Sequence, residues 1–193
     1  MKGKYLVSIF LAAALAAGAL TGCGGPSAAG ASAAEGPAQG ADTVVIAMDP
    51  NSEPAAGFDP AFGWGAGEHV HEPLIQSTLT VTNTDLTIGY DLATDYAVSD
   101  DGLTWTVHIR EDAVFTDGES LTAADVAFTY NTVKSSSSVN DFTMLDVAEA
   151  ADDTTVVFHM TRPFSIWPYT MAIVGILPEH AYDPATYGAN PIG

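Results

Sequence analysis

From Leu103 to Arg110 large apolar residues take every second position, Leu103, Trp105, Val107 and Ile109, with Thr104, Thr106, His108 and Arg110 between them. Successive side chains of a strand point to opposite faces, so this alternation specifies a β-strand with one face in a core and one in water. Leu92 to Ser99 leads into it through Asp100, Asp101 and Gly102, which are turn residues, and the pair reads as a β-hairpin.

A helix start follows the turn at Asp117 and Gly118. Thr122 is an N-cap with Asp125 at N3, and Leu121 is placed to staple onto Val126. Ala123, Val126, Ala127 and Tyr130 fall at i, i+3, i+4 and i+7, which gives one buried stripe. Ser135 to Ser138 ends the helix. A second hairpin runs from about Met144 to Met160, turning near Asp152 and Asp153, with Val156, Phe158 and Met160 on one face. Upstream, Thr43 to Met48 is a β-branched run read as the first strand. Pro54, Gly57 and Pro60 then enforce a loop, and Gly67 to Gln76 reads as a short helix that Pro73 kinks or restarts. Strands mixed with capped helices, without regular alternation or an internal repeat, define an α/β or α+β lobe.

The chain before Thr43 cannot contribute to that core. Lys2 and Lys4 precede an apolar stretch, Leu6 to Leu20, broken only by Ser8; this is the pattern of a secretory signal and is short for a spanning helix. It ends in Leu20, Thr21, Gly22 and Cys23, which resembles the lipobox of bacterial lipoproteins. By that resemblance residues 1–22 are a signal peptide, Cys23 is the lipid attachment site, and two acyl chains hold the protein on the outer face of a membrane. Gly24 to Ala41 is Gly, Ala, Ser, Pro and Gln with one Glu35, a tether with nothing large to bury and a root-mean-square reach of roughly 20 to 25 Å. Residues 42–193 are the folding region.

Charge excludes some partners. The chain carries 5 basic and 24 acidic residues, a net −19, and two of the five are Lys2 and Lys4. Such a field repels nucleic acid and anionic lipid surfaces. Cys23 is the single cysteine, so there is no intramolecular disulfide and no cysteine-type zinc site.

LATDYAVSDDGLTWTVHIREDAVFTDGESLTAADVAFTY, Leu92 to Tyr130, resembles the signature region of extracellular solute-binding protein family 5, the oligopeptide, dipeptide and nickel-complex binders of ABC importers. FDPAF (Phe58 to Phe62), VHEPL (Val70 to Leu74) and NPIG (Asn190 to Gly193) resemble further blocks of the family, in its order. The resemblance implies part of the first lobe of a two-lobed clamshell of the type II periplasmic-binding-protein kind. The expected function is non-catalytic capture of a peptide or other small solute and its delivery to ABC permease subunits, without a cofactor. It also implies that Gly193 lies inside a block that normally continues, so that the chain is a fragment. Strands that would pair with later segments then leave open edges, and the expectation for residues 42–193 alone is poor solubility or a partly molten state.

Candidate ligand contacts are Asp59, Phe62 and Trp64 in the loop after the first strand, and Ile173 and Gly175 in Met171 to Gly175, read as a strand region. A peptide site needs main-chain partners and roomy apolar pockets, which aromatic residues in a glycine-rich loop supply. Packing of Phe62 and Trp64 inside the lobe is the competing reading. Glu68, His69, His71 and Glu72 invite a metal, but on a helix His69 and His71 point about 200° apart and do not chelate together, and no HExxH pattern is present. A nickel chelate of anionic character is disfavoured because Arg110 and Arg162 lie in strand-like segments. An oligosaccharide ligand, a surface lipoprotein enzyme and an adhesin are the other readings. The sequence has no Gly-x-Ser-x-Gly elbow and no P-loop. Trp105 is expected in the core, and Trp167 is open between core and ligand platform.

Overall fold

The computed structural model describes residues 57–62, 73–136 and 141–193. The strand expected at Thr43 to Met48, the signal, Cys23, the tether and the Glu68 to Glu72 group lie outside the described residues. Among the described residues the order is β1 (Thr80–Thr82), β2 (Ile88–Tyr90), β3 (Ala93–Val98), β4 (Thr104–Ile109), α1 (Ala123–Ser135), β5 (Leu145–Asp152), β6 (Thr155–Met160) and α2 (Trp167–Met171). Short 3₁₀ turns follow at Glu179–Ala181 and Tyr187–Ala189. The strands form an antiparallel sheet of order β3-β4-β6-β5, and β1 pairs with β2 as a separate hairpin.

Both expected hairpins form. Gly102 adopts φ 71°, which a turn of this kind requires, and the Asp101 carboxylate accepts from Leu103 N–H at 3.0 Å. Trp105, Val107 and Ile109 are buried as the alternation demands, and Val156 and Phe158 meet them from β6. The stripe Ala123, Val126, Ala127, Tyr130 and Val133 of α1 is buried in the same core, with α1 packed on β5 and β6. Its start is built by Asp125, whose Oδ2 accepts from Thr122 N–H at 2.9 Å and from Thr122 Oγ1 at 3.0 Å.

Trp167 closes that core. It is fully buried, with ring centroids 5.2 Å from Phe158, 5.5 Å from Tyr130 and 6.2 Å from Phe142. The ligand-platform reading of Trp167 is therefore replaced by a packing one. The strand expected at Met171 to Gly175 is also corrected: Met171 ends α2, and residues 172–175 are an irregular segment of mostly buried residues. Residues 74–76 are bends rather than helix.

The outer margin of β5 is covered by α1. The Asn131 amide donates to Ala148 O at 2.8 Å and its Oδ1 accepts from Ala148 N–H at 3.0 Å, so one side chain does what a neighbouring strand would do. Lys134 Nζ donates to Asp146 O.

At the tip of the β1–β2 hairpin Leu86 adopts φ 66° and is 70% exposed, with its carbonyl accepting from Tyr169 OH at 2.8 Å. The left-handed region costs an L-residue roughly 1 to 2 kcal/mol, and no side-chain burial offsets it here. Leu86→Gly is therefore expected to stabilise the protein by about 1 kcal/mol in a denaturant titration; an unchanged or lowered midpoint would contradict this.

Candidate ligand-binding site

The turn Gly57 to Phe62 is held from several sides. Gly57 sits at φ 62° and its Cα faces the Gly188 carbonyl so closely that a Cβ would come within 2.1 Å of the oxygen. Phe58 N–H donates to that same carbonyl at 2.8 Å. Asp59 is 1% exposed; its Oδ1 accepts from Ala61 N–H at 2.9 Å and its Oδ2 from Tyr182 OH at 3.0 Å. Burial pushes the Asp59 carboxyl above its ordinary range, against the pull of these two bonds. Burial and the Asp59 charge push the Tyr182 hydroxyl up as well. Ser136 Oγ donates to Ala61 O. Phe62 leaves the turn 38% exposed, and Trp64 lies outside the described residues.

Gln76 joins this turn to the second group of candidates. Its Nε2 donates to Phe58 O at 3.2 Å and to Tyr187 OH at 3.2 Å, and Tyr187 OH in turn donates to Ile192 O. Gly175 packs on the other side of Gln76: a Cβ there would lie 2.7 Å from Gln76 Cβ and 3.1 Å from Pro73 Cγ. Gly175 is buried and Ile173 is half-buried. The structure thus brings Asp59 and Gly175 to one buried joint, leaves Phe62 and Ile173 with accessible surface, and reveals Gln76, Tyr182 and Tyr187 as residues that no motif singles out. Among the described residues no three of His, Cys, Asp and Glu converge on a point where an ion would sit.

The segment after Gly175 is fixed by one hydroxyl and two carboxylates. Thr129 Oγ1 accepts from Leu177 N–H at 2.8 Å, Asp125 Oδ1 accepts from Glu179 N–H at 3.0 Å, and His180 Nε2 bonds Asp117 Oδ2 at 2.8 Å. Asp117, with smaller contributions from Asp125 and Glu119, raises the His180 pKa, while His180 lowers that of Asp117. A raised folded-state histidine pKa means that this contact's stabilisation is complete below the ordinary histidine value and is lost as pH rises through the folded value. For Asp117 the contribution is present above the ordinary carboxylate value and fades in acid. The pair is therefore strongest between the two, and a proton NMR titration should place His180 above a free histidine in the wild type and near it in Asp117→Asn. An unmoved titration in that variant would sink the assignment.

The lobe has further hollows among the described residues. One of about 250 Å³ is lined by Ser77, Asp91, Arg110, Phe115, Ile176 and Gly193. A shallower one of about 520 Å³ lies between α1 and β5 beside Phe128, Asn131 and Glu149. Neither of these two is lined by Asp59, Phe62, Ile173 or Gly175.

A four-stranded antiparallel sheet backed by one capped helix, with a buried polar joint beside it, matches part of a lobe of type II periplasmic binding proteins. The fold recurs in solved structures: NikZ from Campylobacter jejuni in complex with Ni(L-His), at TM-score 0.63 and 24% identity over 75% of this chain and 32% of that one, and the oligopeptide-binding protein AppA from Bacillus subtilis in complex with a nonapeptide, at TM-score 0.61 and 26% identity over 74% of this chain and 31% of that one. Residues 87–193 match the bacterial extracellular solute-binding proteins, family 5, and the chain belongs to that family. In sequence it is similar to protein XP55 of Streptomyces lividans, 35% identical across 94% of this chain and 33% of that one, and 29% identical to AppA across 83% and 30%. The chain spans about a third of the length of these curated relatives.

Proposed function

We propose that the protein is the capture component of an ABC importer: it binds peptides outside the cytoplasm and delivers them, chemically unchanged, to membrane permease subunits. The observation that carries this reading is the family match over residues 87–193, joined to a lobe whose turn Gly57 to Phe62 is held rigidly from Gly188, Tyr182, Gln76 and Ser136. AppA, a relative in both sequence and fold, holds a nonapeptide. Phe62, Trp64 and Ile173 supply the apolar contacts, while Asp59 and Gly175 shape the buried joint. Cys23 carries the lipid anchor, on the cell surface or in a periplasm, and residues 24–41 tether the lobe to it. Ligand stabilises the closed clamshell by binding it better than the open one.

Peptide is favoured over an anionic metal chelate by the placement of the cations. Arg110 is bound to Asp112 through Nε at 2.5 Å and Nη2 at 2.9 Å, and Arg162 lies over the Phe164 ring at 5.6 Å. Neither bonds a residue of the joint built by Asp59, Gln76 and Tyr182.

The test is a thermal-shift titration of the full-length protein with synthetic peptides of about two to nine residues. A binder at a hundredfold excess over Kd adds about 2.7 kcal/mol, and the midpoint climbs with the logarithm of concentration. Recovered peptide should be intact by mass spectrometry. Cleaved products, or no shift with any peptide, would overturn the reading. Cys23→Ser should release the protein from membranes.

A further inference from the structure

The turn Gly57 to Phe62 contains a carboxylate that is buried, fully occupied and costly to keep there. A carboxylate taken out of water is tolerated only where hydrogen bonds replace its solvation. Asp59 has two such bonds, and they differ in kind. Oδ1 closes a local turn over Pro60 onto Ala61 N–H, the arrangement in which an aspartate shapes its own backbone. Oδ2 reaches across 123 residues of sequence to Tyr182 OH. The Tyr182 ring is itself held edge-on by Phe128, at 5.6 Å, and tilted against Tyr187, at 5.3 Å, so its hydroxyl has a fixed direction. Tyr182 follows directly on the segment pinned by Asp125 and Asp117.

From these contacts we infer that Asp59 is a positioning residue of the capture site: through Tyr182 it locks the Gly57 to Phe62 turn onto the 179–187 segment and sets the direction in which Phe62 leaves the lobe. The inference rests on the capture function proposed above. A residue needed only to fill space at this position would be better served by an uncharged side chain, whereas two oxygens at a fixed separation register the local turn and a distant ring at once. A ligand contact is a different role, because both Asp59 oxygens are already engaged inside the lobe and the residue is 1% exposed. The joint then works as one unit: Gln76 holds Phe58 O on the same turn and touches Gly175, so a displaced Asp59–Tyr182 bond is felt at both candidate contact segments.

The experiment is a double-mutant cycle in the full-length protein with Asp59→Asn, Tyr182→Phe and the pair combined. The first readout needs no ligand: hydrogen exchange, followed by mass spectrometry, of the fragment covering Gly57 to Phe62. Each single substitution should speed exchange there by about tenfold, the scale of one hydrogen bond to a charged group, and leave β4 and β6 within about twofold. The second readout is the affinity for whichever synthetic peptide of the set above gives the largest thermal shift, expected to weaken by a similar factor. Asp59→Asn replaces the charged acceptor of the Tyr182 hydroxyl with a neutral amide and Tyr182→Phe removes that hydroxyl, so both act on one bond and the combined variant should be no worse than Tyr182→Phe alone. Additive losses, unchanged exchange in the turn, or a uniform rise across the sheet would overturn the inference. So would an affinity loss in Asp59→Asn with none in Tyr182→Phe, which would make Asp59 a direct contact. Should no peptide bind the wild type, the capture reading fails by itself, and exchange in the turn still decides whether Asp59 acts through Tyr182.

Discussion

Trp167→Ala should lower the unfolding free energy by about 3 to 5 kcal/mol, the largest single effect anticipated for the lobe. The indole is fully buried and touches Tyr130, Phe142 and Phe158, three rings from α1, the following loop and β6. Its loss leaves a cavity bounded by rigid rings that cannot collapse into it. Trp167 Nε1 has no hydrogen-bond partner among the described residues, so Trp167→Phe gives up area but no polar contact and should cost about half as much. Guanidinium titrations of the two variants measure the difference. Equal losses would mean that something other than ring packing holds α2 in place.

Asp125→Ala should cost about 3 kcal/mol. The carboxylate serves the helix start twice, at Thr122 N–H and Oγ1, and then reaches 54 residues onward to Glu179 N–H. Truncation strips all three donors of their acceptor in a site where Asp125 is 6% exposed, and it unpins the 176–182 segment from α1. Thr122→Ala removes only capping contacts and should cost about 1 kcal/mol. If the two variants melt together, the long-range bond contributes nothing measurable.

The chain announces its local structure clearly. Alternation in Leu103 to Arg110, the Asp101 and Gly102 turn and the Thr122 to Asp125 box each depend on neighbours within a few residues, and each forms. Short elements escaped. The hairpin β1–β2 has strands of three residues, and α2 has five with Pro168 in its first turn, too few for a period to emerge. Met171 to Gly175 is apolar throughout, and such a run reads as strand or helix with equal ease. The lobe itself was recoverable through the family blocks. Asp59 stands out in the FDPAF block and Gly175 in the apolar Met171 to Gly175 run, but their partners do not, because the bonds that define the joint span 18 residues from Gln76 to Phe58 and 123 from Tyr182 to Asp59. No local pattern encodes such distances.

Asn131 and Lys134 give α1 a second duty besides filling the core. Their polar groups are seated on the Ala148 amide and carbonyl and on the Asp146 carbonyl. A second molecule seeking to extend the sheet from β5 meets occupied groups there, with Asp146 and Glu149 exposed beside them. Strand addition at Ala148 is thereby blocked, and the helix that fills the core also guards part of the sheet's edge.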